Sequence, residues 1–192
     1  MNLLNRIKNV LLAPKEEWPV IAGEAATPQT LYLSYIMILA AIGPVVLLIS
    51  GGLSGFAVRL AVAMYVNSLI GVAVLALIVD VLSTNFGGSK DFVAALKLTA
   101  YSFTASWVAA IALFLPVVGG LVILAAAIYG FYLFFLGAPV LKKCSADKAV
   151  LFTIVVLLCT IVLWYLIQTM LASLGIGFGA RMGNMSLTLM QQ

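Results

Sequence analysis

From Leu98 to Leu141 the chain carries no charged residue, and in the middle of that run stands LFLPVVGGLVIL, residues 113 to 124. One helix over these roughly 44 residues would be about 66 Å long, twice the roughly 30 Å of a bilayer's hydrocarbon core. Pro116 lacks an amide hydrogen and its ring clashes with the preceding turn, while Gly119 and Gly120 reach backbone angles closed to other residues. The run therefore reads as two antiparallel helices joined at LPVVGG, about 98–115 and 118–140.

Lipid, rather than a protein interior, is the solvent this pattern requires. Of the 192 residues 65% are hydrophobic and 8% charged, against about 25% charged in a soluble domain. The same block length recurs at Leu31–Ser50, with Gly43 and Pro44 as a kink, at Arg59–Leu82, and at Ala149–Gly175. The expected fold is all-α: a polytopic transmembrane bundle of five helices (31–50, 59–82, 98–115, 118–140, 149–175), preceded by an N-terminal amphipathic interfacial helix. Residues 1–30 form the cytoplasmic segment, 31–175 the membrane domain, and the GIGFGARMGNMS-containing end, 176–192, a flexible tail outside the cytoplasm.

Five crossings place the termini on opposite sides, so the basic residues choose the orientation. Arg6, Lys8, Lys15, Lys90, Lys97, Lys142, Lys143 and Lys148 fall on the N-terminal side, and Arg59 and Arg181 on the other. Cytoplasmic loops are those enriched in Lys and Arg, so the N-terminus is expected in the cytoplasm and the C-terminus outside it. A formal charge of +4 raises nucleic acid as a partner, but the cations are scattered through inter-helix segments and form no patch interleaved with aromatics, which excludes it. Charges inside MNLLNRIKNVLLAP, and Pro14 before any long apolar core, argue against a cleaved signal peptide.

In that first segment Leu3, Leu4, Ile7, Val10 and Leu11 fall within about 120° of a helical wheel, with Asn2, Asn5, Arg6 and Asn9 opposite. Such a helix lies at the interface with its cations toward anionic headgroups. Arg6, Lys8, Lys142 and Lys143 are the candidate lipid-facing cations, and Trp18 in PKEEWPVIAGEAATP is expected at headgroup depth. That acidic stretch could also dock a protein partner.

Polar residues inside apolar helices are the remaining candidates. Asp80 is the one acid within an expected span, near its cytoplasmic end, where water or Lys97 could serve it. Asn67 lies nearer mid-membrane and seeks a partner on another helix. Ser102, Ser106 and Ala110 make a small-residue stripe on the third span, and Ala126 and Gly130 continue the register on the fourth. Such stripes let backbones approach closely, within one chain or between copies in a homo-oligomer. Tyr129 belongs to an aromatic group with Phe131, Tyr132, Phe134 and Phe135 in the inner half of that span.

Catalytic constellations are missing. The chain has no histidine, no acid pair on one transmembrane face, and no GxxxxGK[ST] loop. Its cysteines, Cys144 and Cys159, lack metal-type spacing. Neither cofactor nor enzyme activity is expected. Two functions stay open: a membrane protein acting by binding lipids or proteins through a basic amphipathic cytoplasmic face, or a small oligomeric transporter or channel with Asp80, Asn67 and Tyr129 along a polar path.

The segment NFGGSKDFVAALKLTAYSFTASWVAAIALFLPVVGGLVILAAAIYGFYLFFLGAPVL, residues 85–141, resembles the Yip family of small five-span membrane proteins. The likeness is carried by Gly87 and Gly88, by AYSFT, by the Pro116–Gly120 turn, and by Tyr129 through Gly137 with Pro139; PKEEWPVI resembles the opening of bacterial members. It implies five spans; the eukaryotic members are associated with Rab GTPases and traffic between endoplasmic reticulum and Golgi. The long N-terminal region and DLYGP motif of those members are missing, so the resemblance is to the prokaryotic branch; it implies a plasma membrane protein, and a Rab partner is not carried over. Members often carry a proline after the residue equivalent to Thr104; Ala105 stands there instead, which removes the ground for a kink in the third span.

Overall fold

In the computed structural model, which describes residues 2–115 and 118–173, four of the helices begin at a polar side-chain cap. Asn2 opens α1 (Leu3–Leu12), its side chain accepting from the Leu4 amide. Pro14, whose missing N–H costs nothing in a first turn, opens α2 (Pro14–Gly23), with Glu16 and Glu17 at the positive end of the helix dipole. Thr27 and Thr30 form a reciprocal capping box at the start of α3 (Pro28–Gly51). Ser54 caps α4 (Gly55–Asn85) and Asp91 caps α5 (Phe92–Phe114), each accepting from an amide three residues on. Two more helices, α6 (Val118–Lys142) and α7 (Ala146–Ser173), complete the described chain.

The protein is an all-α multi-pass membrane protein. Five helices, α3 to α7, are long and apolar enough to cross a bilayer. Their bounds run past the apolar blocks because hydropathy falls at the first charge, whereas hydrogen bonding continues to the cap. This moves three expectations. Lys97, expected in a loop, lies in the second turn of α5; Lys142, also expected in a loop, is the last residue of α6; and Asp80 is several residues inside α4. The expected turn residue Pro116 and the tail 176–192 lie outside the described residues.

Two spans depart from regular α-geometry. In α3 a π-helical turn, Tyr32–Ile36, precedes a break at Ala41, just before Gly43 and Pro44. The π-turn lets Tyr32 reach the Leu69 carbonyl of α4 (2.9 Å) while Tyr35 points to α5. In α5 the helix breaks at Phe103 and tightens to a 3₁₀ segment at Ala110–Phe114. The helix is thus interrupted without a proline. Thr104 Oγ1 donates to the Tyr101 carbonyl at 2.7 Å, an alternative hydrogen bond that diverts the backbone ladder.

α1 and α2 form a collar on one end of the bundle, which also carries the α4–α5 and α6–α7 connections. Val10, Trp18 and Ile21 of the collar join the same core as Leu96, Leu98, Leu133 and Phe152. Trp18 faces the protein interior: it is 1% exposed and sits in a notch left by Gly137, where a Cβ would lie 2.7 Å from its ring. Its ring meets Tyr101 edge-on at 6.4 Å.

Candidate binding site at the collar

Arg6 lies on the polar side of α1, and the collar folds that side inward against α2. The residue is 5% exposed. Nη1 donates to Glu17 Oε1 at 2.5 Å, Nη2 donates to Glu24, and the guanidinium carbon sits 5.7 Å from the Tyr101 ring centroid. Asn9 supplies a further donor to Glu17 at 3.0 Å. Burial alone would depress the arginine pKa, but the hydrogen bond to Glu24 and the fields of Tyr101, Glu24 and Glu17 outweigh it and hold the value above normal. Arg6, expected to face lipid, is instead an internal cation whose pairing offsets the burial of Glu17.

Lys97 is buried as well, and it does not reach Asp80. Its Nζ donates to the Ile21 carbonyl at 2.8 Å and the Glu24 carbonyl at 2.5 Å, so a cation of α5 satisfies the C-terminal carbonyls of α2. Tyr129 adds a third tie: its hydroxyl donates to the Leu11 carbonyl at the end of α1, 2.7 Å away. On the bundle side Tyr35 shares a 2.7 Å hydrogen bond with Thr104 and packs on Tyr101 at 4.6 Å. Between these groups lies an open polar cleft of about 460 Å³ lined by Leu3, Arg6, Glu24, Ser34, Tyr35 and Tyr101.

A second charged cluster joins the two connections at the same end. Asp80 Oδ1 accepts from Lys142 Nζ at 2.6 Å and from the Asp91 amide at 2.7 Å, and Lys142 also donates to the Asp91 carbonyl at 2.9 Å. Lys142, expected as a lipid-facing cation, is fully buried. GGSKD explains the geometry: Gly87 takes φ +77°, and a Cβ on Gly88 would lie 2.7 Å from the Lys142 carbonyl. The Ser89 amide then donates to that carbonyl at 2.8 Å.

The other sequence candidates are spread along the bundle. Lys8 and Lys143 are exposed. Gly130 of α6 lies against the backbone of Ser102, with Ser106 nearby, while Ala110 meets Gly43 of α3. Ala126 packs at the edge of the core. Asn67 is half-buried beside Ser68, which accepts a 3.0 Å hydrogen bond from Trp107 Nε1. The structure brings together Arg6, Lys97 and Tyr129 around the collar, and Asp80 with Lys142; it leaves Asn67 apart. Glu17, Glu24, Tyr35 and Tyr101 were not anticipated. Glu17, eleven residues from Arg6 with a helix end between them, carries no periodic signal pointing to that partner.

A five-span helical bundle with a docked amphipathic collar defines a polytopic membrane protein of the collar-and-bundle type. The chain belongs to the Yip family: the Yip1 domain matches residues 8–167, from the collar to the far part of α7. No curated protein and no solved structure shows significant similarity to it.

Proposed function

We propose that this protein is a non-enzymatic, membrane-organising member of the Yip family that acts by binding, its collar and adjoining loops forming a cytoplasmic platform for anionic headgroups or a protein partner. The observation that supports this most is the division of the cations. Arg6, Lys97 and Lys142 are consumed internally, fixing the collar and loops to the bundle, while Lys8, Lys15, Lys90, Lys143 and Lys148 remain exposed on the same end. Fixed cations near a membrane surface attract anionic lipid by about 1 kcal/mol each. The Lys and Arg bias supports that end facing the cytoplasm, with the C-terminus outside, and the resemblance to the prokaryotic branch supports a plasma membrane location.

The test uses full-length protein extracted with its native lipids. The triple substitution Lys8→Gln, Lys15→Gln, Lys143→Gln should lower retained anionic lipid and any co-purifying protein; unchanged retention of both overturns the reading. Transport has less support, because Asp80, the buried acid it would use, already accepts from Lys142 and the Asp91 amide. Asp80-dependent solute or proton flux in proteoliposomes would reverse that ranking.

A further inference from the structure

The polar cleft of about 460 Å³ beside the collar brings Glu24, at the end of α2, together with Ser34 and Tyr35 of α3 and Tyr101 of α5. Pro28 opens the first membrane-spanning helix, so the cleft straddles the start of that span, where a phospholipid's head meets its chains. Leu3 lines one wall. Beyond Ser34 on the same side of α3 come Ile38 and Val45, 49% and 50% exposed, which carry an apolar track from the cleft into the bilayer.

The cleft offers mainly acceptors. Arg6 donates to one carboxylate oxygen of Glu24, Oε1, and the other has no donor among the described residues. That side chain is 43% exposed. Ser34 Oγ gives its hydrogen to the Thr30 carbonyl at 2.5 Å, which leaves its lone pairs free. Tyr101 is 7% exposed, and its hydroxyl makes no hydrogen bond among the described residues. The fully buried polar atoms without a partner there are Trp18 Nε1 and Ser102 Oγ, so the Tyr101 hydroxyl is accessible, and the space its residue lines is this cleft.

Charge then selects the ligand. Arg6 and Lys97 balance Glu17 and Glu24, so the cluster has no net charge to draw in an anion. An acidic lipid would meet the free Glu24 oxygen, whereas a zwitterion brings its own counter-charge. A primary ammonium has three N–H donors to give to Glu24, Ser34 and Tyr101. A trimethylammonium has none and would need an open aromatic face, and Arg6 already sits 5.7 Å from the Tyr101 ring centroid.

We propose that the cleft binds a zwitterionic phospholipid with a primary ammonium head, the chemistry of phosphatidylethanolamine. The ammonium donates to Glu24, Ser34 and Tyr101, and an acyl chain follows Ile38 and Val45. The site belongs to the collar platform and so rests on that reading, but it takes a different lipid from the exposed lysines.

Full-length protein in detergent micelles is titrated with dioleoyl phosphatidylethanolamine, phosphatidylcholine or phosphatidylglycerol, and native mass spectrometry counts bound lipid. One saturable phosphatidylethanolamine adduct is expected, about 10-fold tighter than phosphatidylcholine, which lacks the N–H donors to a carboxylate. Glu24→Gln and Tyr101→Phe should each weaken it about 3- to 10-fold. Tyr101→Phe removes a hydroxyl that holds no protein group, so its thermal midpoint should match the wild type, and a merely structural role would leave binding unmoved. Binding of phosphatidylethanolamine should persist in the Lys8, Lys15 and Lys143 triple variant. Equal affinity for phosphatidylethanolamine and phosphatidylcholine overturns the proposal, as does unchanged binding in both single variants. Phosphatidylglycerol bound as tightly, and lost in the triple variant but not in Glu24→Gln, overturns this site and leaves the platform standing. Displacement by glycerophosphoethanolamine as effective as by the intact lipid overturns the lipid assignment. Should Tyr101→Phe fail to fold, Glu24→Gln alone decides.

Discussion

Lys142, the last residue of α6, donates from Nζ to Asp80 Oδ1 of α4 across 2.6 Å, and both side chains are buried. The pair ties the α4–α5 connection to the end of α6. Removing one partner leaves an uncompensated buried charge, which typically costs about 3–5 kcal/mol, whereas replacing both by apolar side chains is often neutral. Asp80→Leu and Lys142→Met should each lower the thermal unfolding midpoint sharply, and the double variant should recover most of the loss. Additive losses in a thermal scan would show that the two do not act as a pair.

Arg6 has two unequal partners. Glu17 is buried, while the Glu24 side chain is 43% exposed. Arg6→Met should therefore free the collar, with faster amide exchange across residues 3–12 and a loss of about 3–5 kcal/mol. Glu24→Gln should cost less than about 1 kcal/mol because water screens that contact. Hydrogen exchange by mass spectrometry separates the two.

The glycines make a graded series. Gly88→Ala places a Cβ 2.7 Å from the Lys142 carbonyl, and Gly137→Ala places one 2.7 Å from the Trp18 ring. Both should destabilise, Gly137→Ala by displacing Trp18 from its notch, which would appear as a shift in its fluorescence. Gly120, in a helix with nothing within 4 Å, should accept alanine with no loss and a gain of up to about 1 kcal/mol.

Cys144, against Gly88, is buried, and burial raises its thiol pKa despite the opposing charge of Lys142. Folding thus favours the protonated thiol. The stability this contributes is full below the ordinary thiol pKa and is lost as pH rises through the elevated folded value. In a Cys159→Ser background, maleimide labelling of the folded protein should be slow at neutral pH and should accelerate at a more alkaline pH than for a free cysteine. Fast neutral labelling would mean that the connection opens.

The residues of the two charged clusters were visible in the sequence, but not their roles. Arg6 and Lys142 read as surface cations because a wheel or a loop assignment records only neighbours along one element. Lys97 read as a partner for Asp80, since both stand at the same end of adjacent spans. In the fold Lys97 turns to the carbonyls that end α2, and Lys142 takes Asp80 instead. The break at Phe103 was hidden for a similar reason: its cause is the Thr104 hydroxyl on the Tyr101 carbonyl, which leaves no mark such as a proline.

The sequence by itself determined the solvent, the helical class, the five crossings and the family, because backbone groups in lipid must bond within helices and apolar length against bilayer thickness leaves little choice. Tertiary structure alone decided which charges were free. Ion pairing depends on distances of a few ångströms between residues far apart in the chain, and the packing of the collar on α5 and α6 and of α6 against the α4–α5 connection sets those distances.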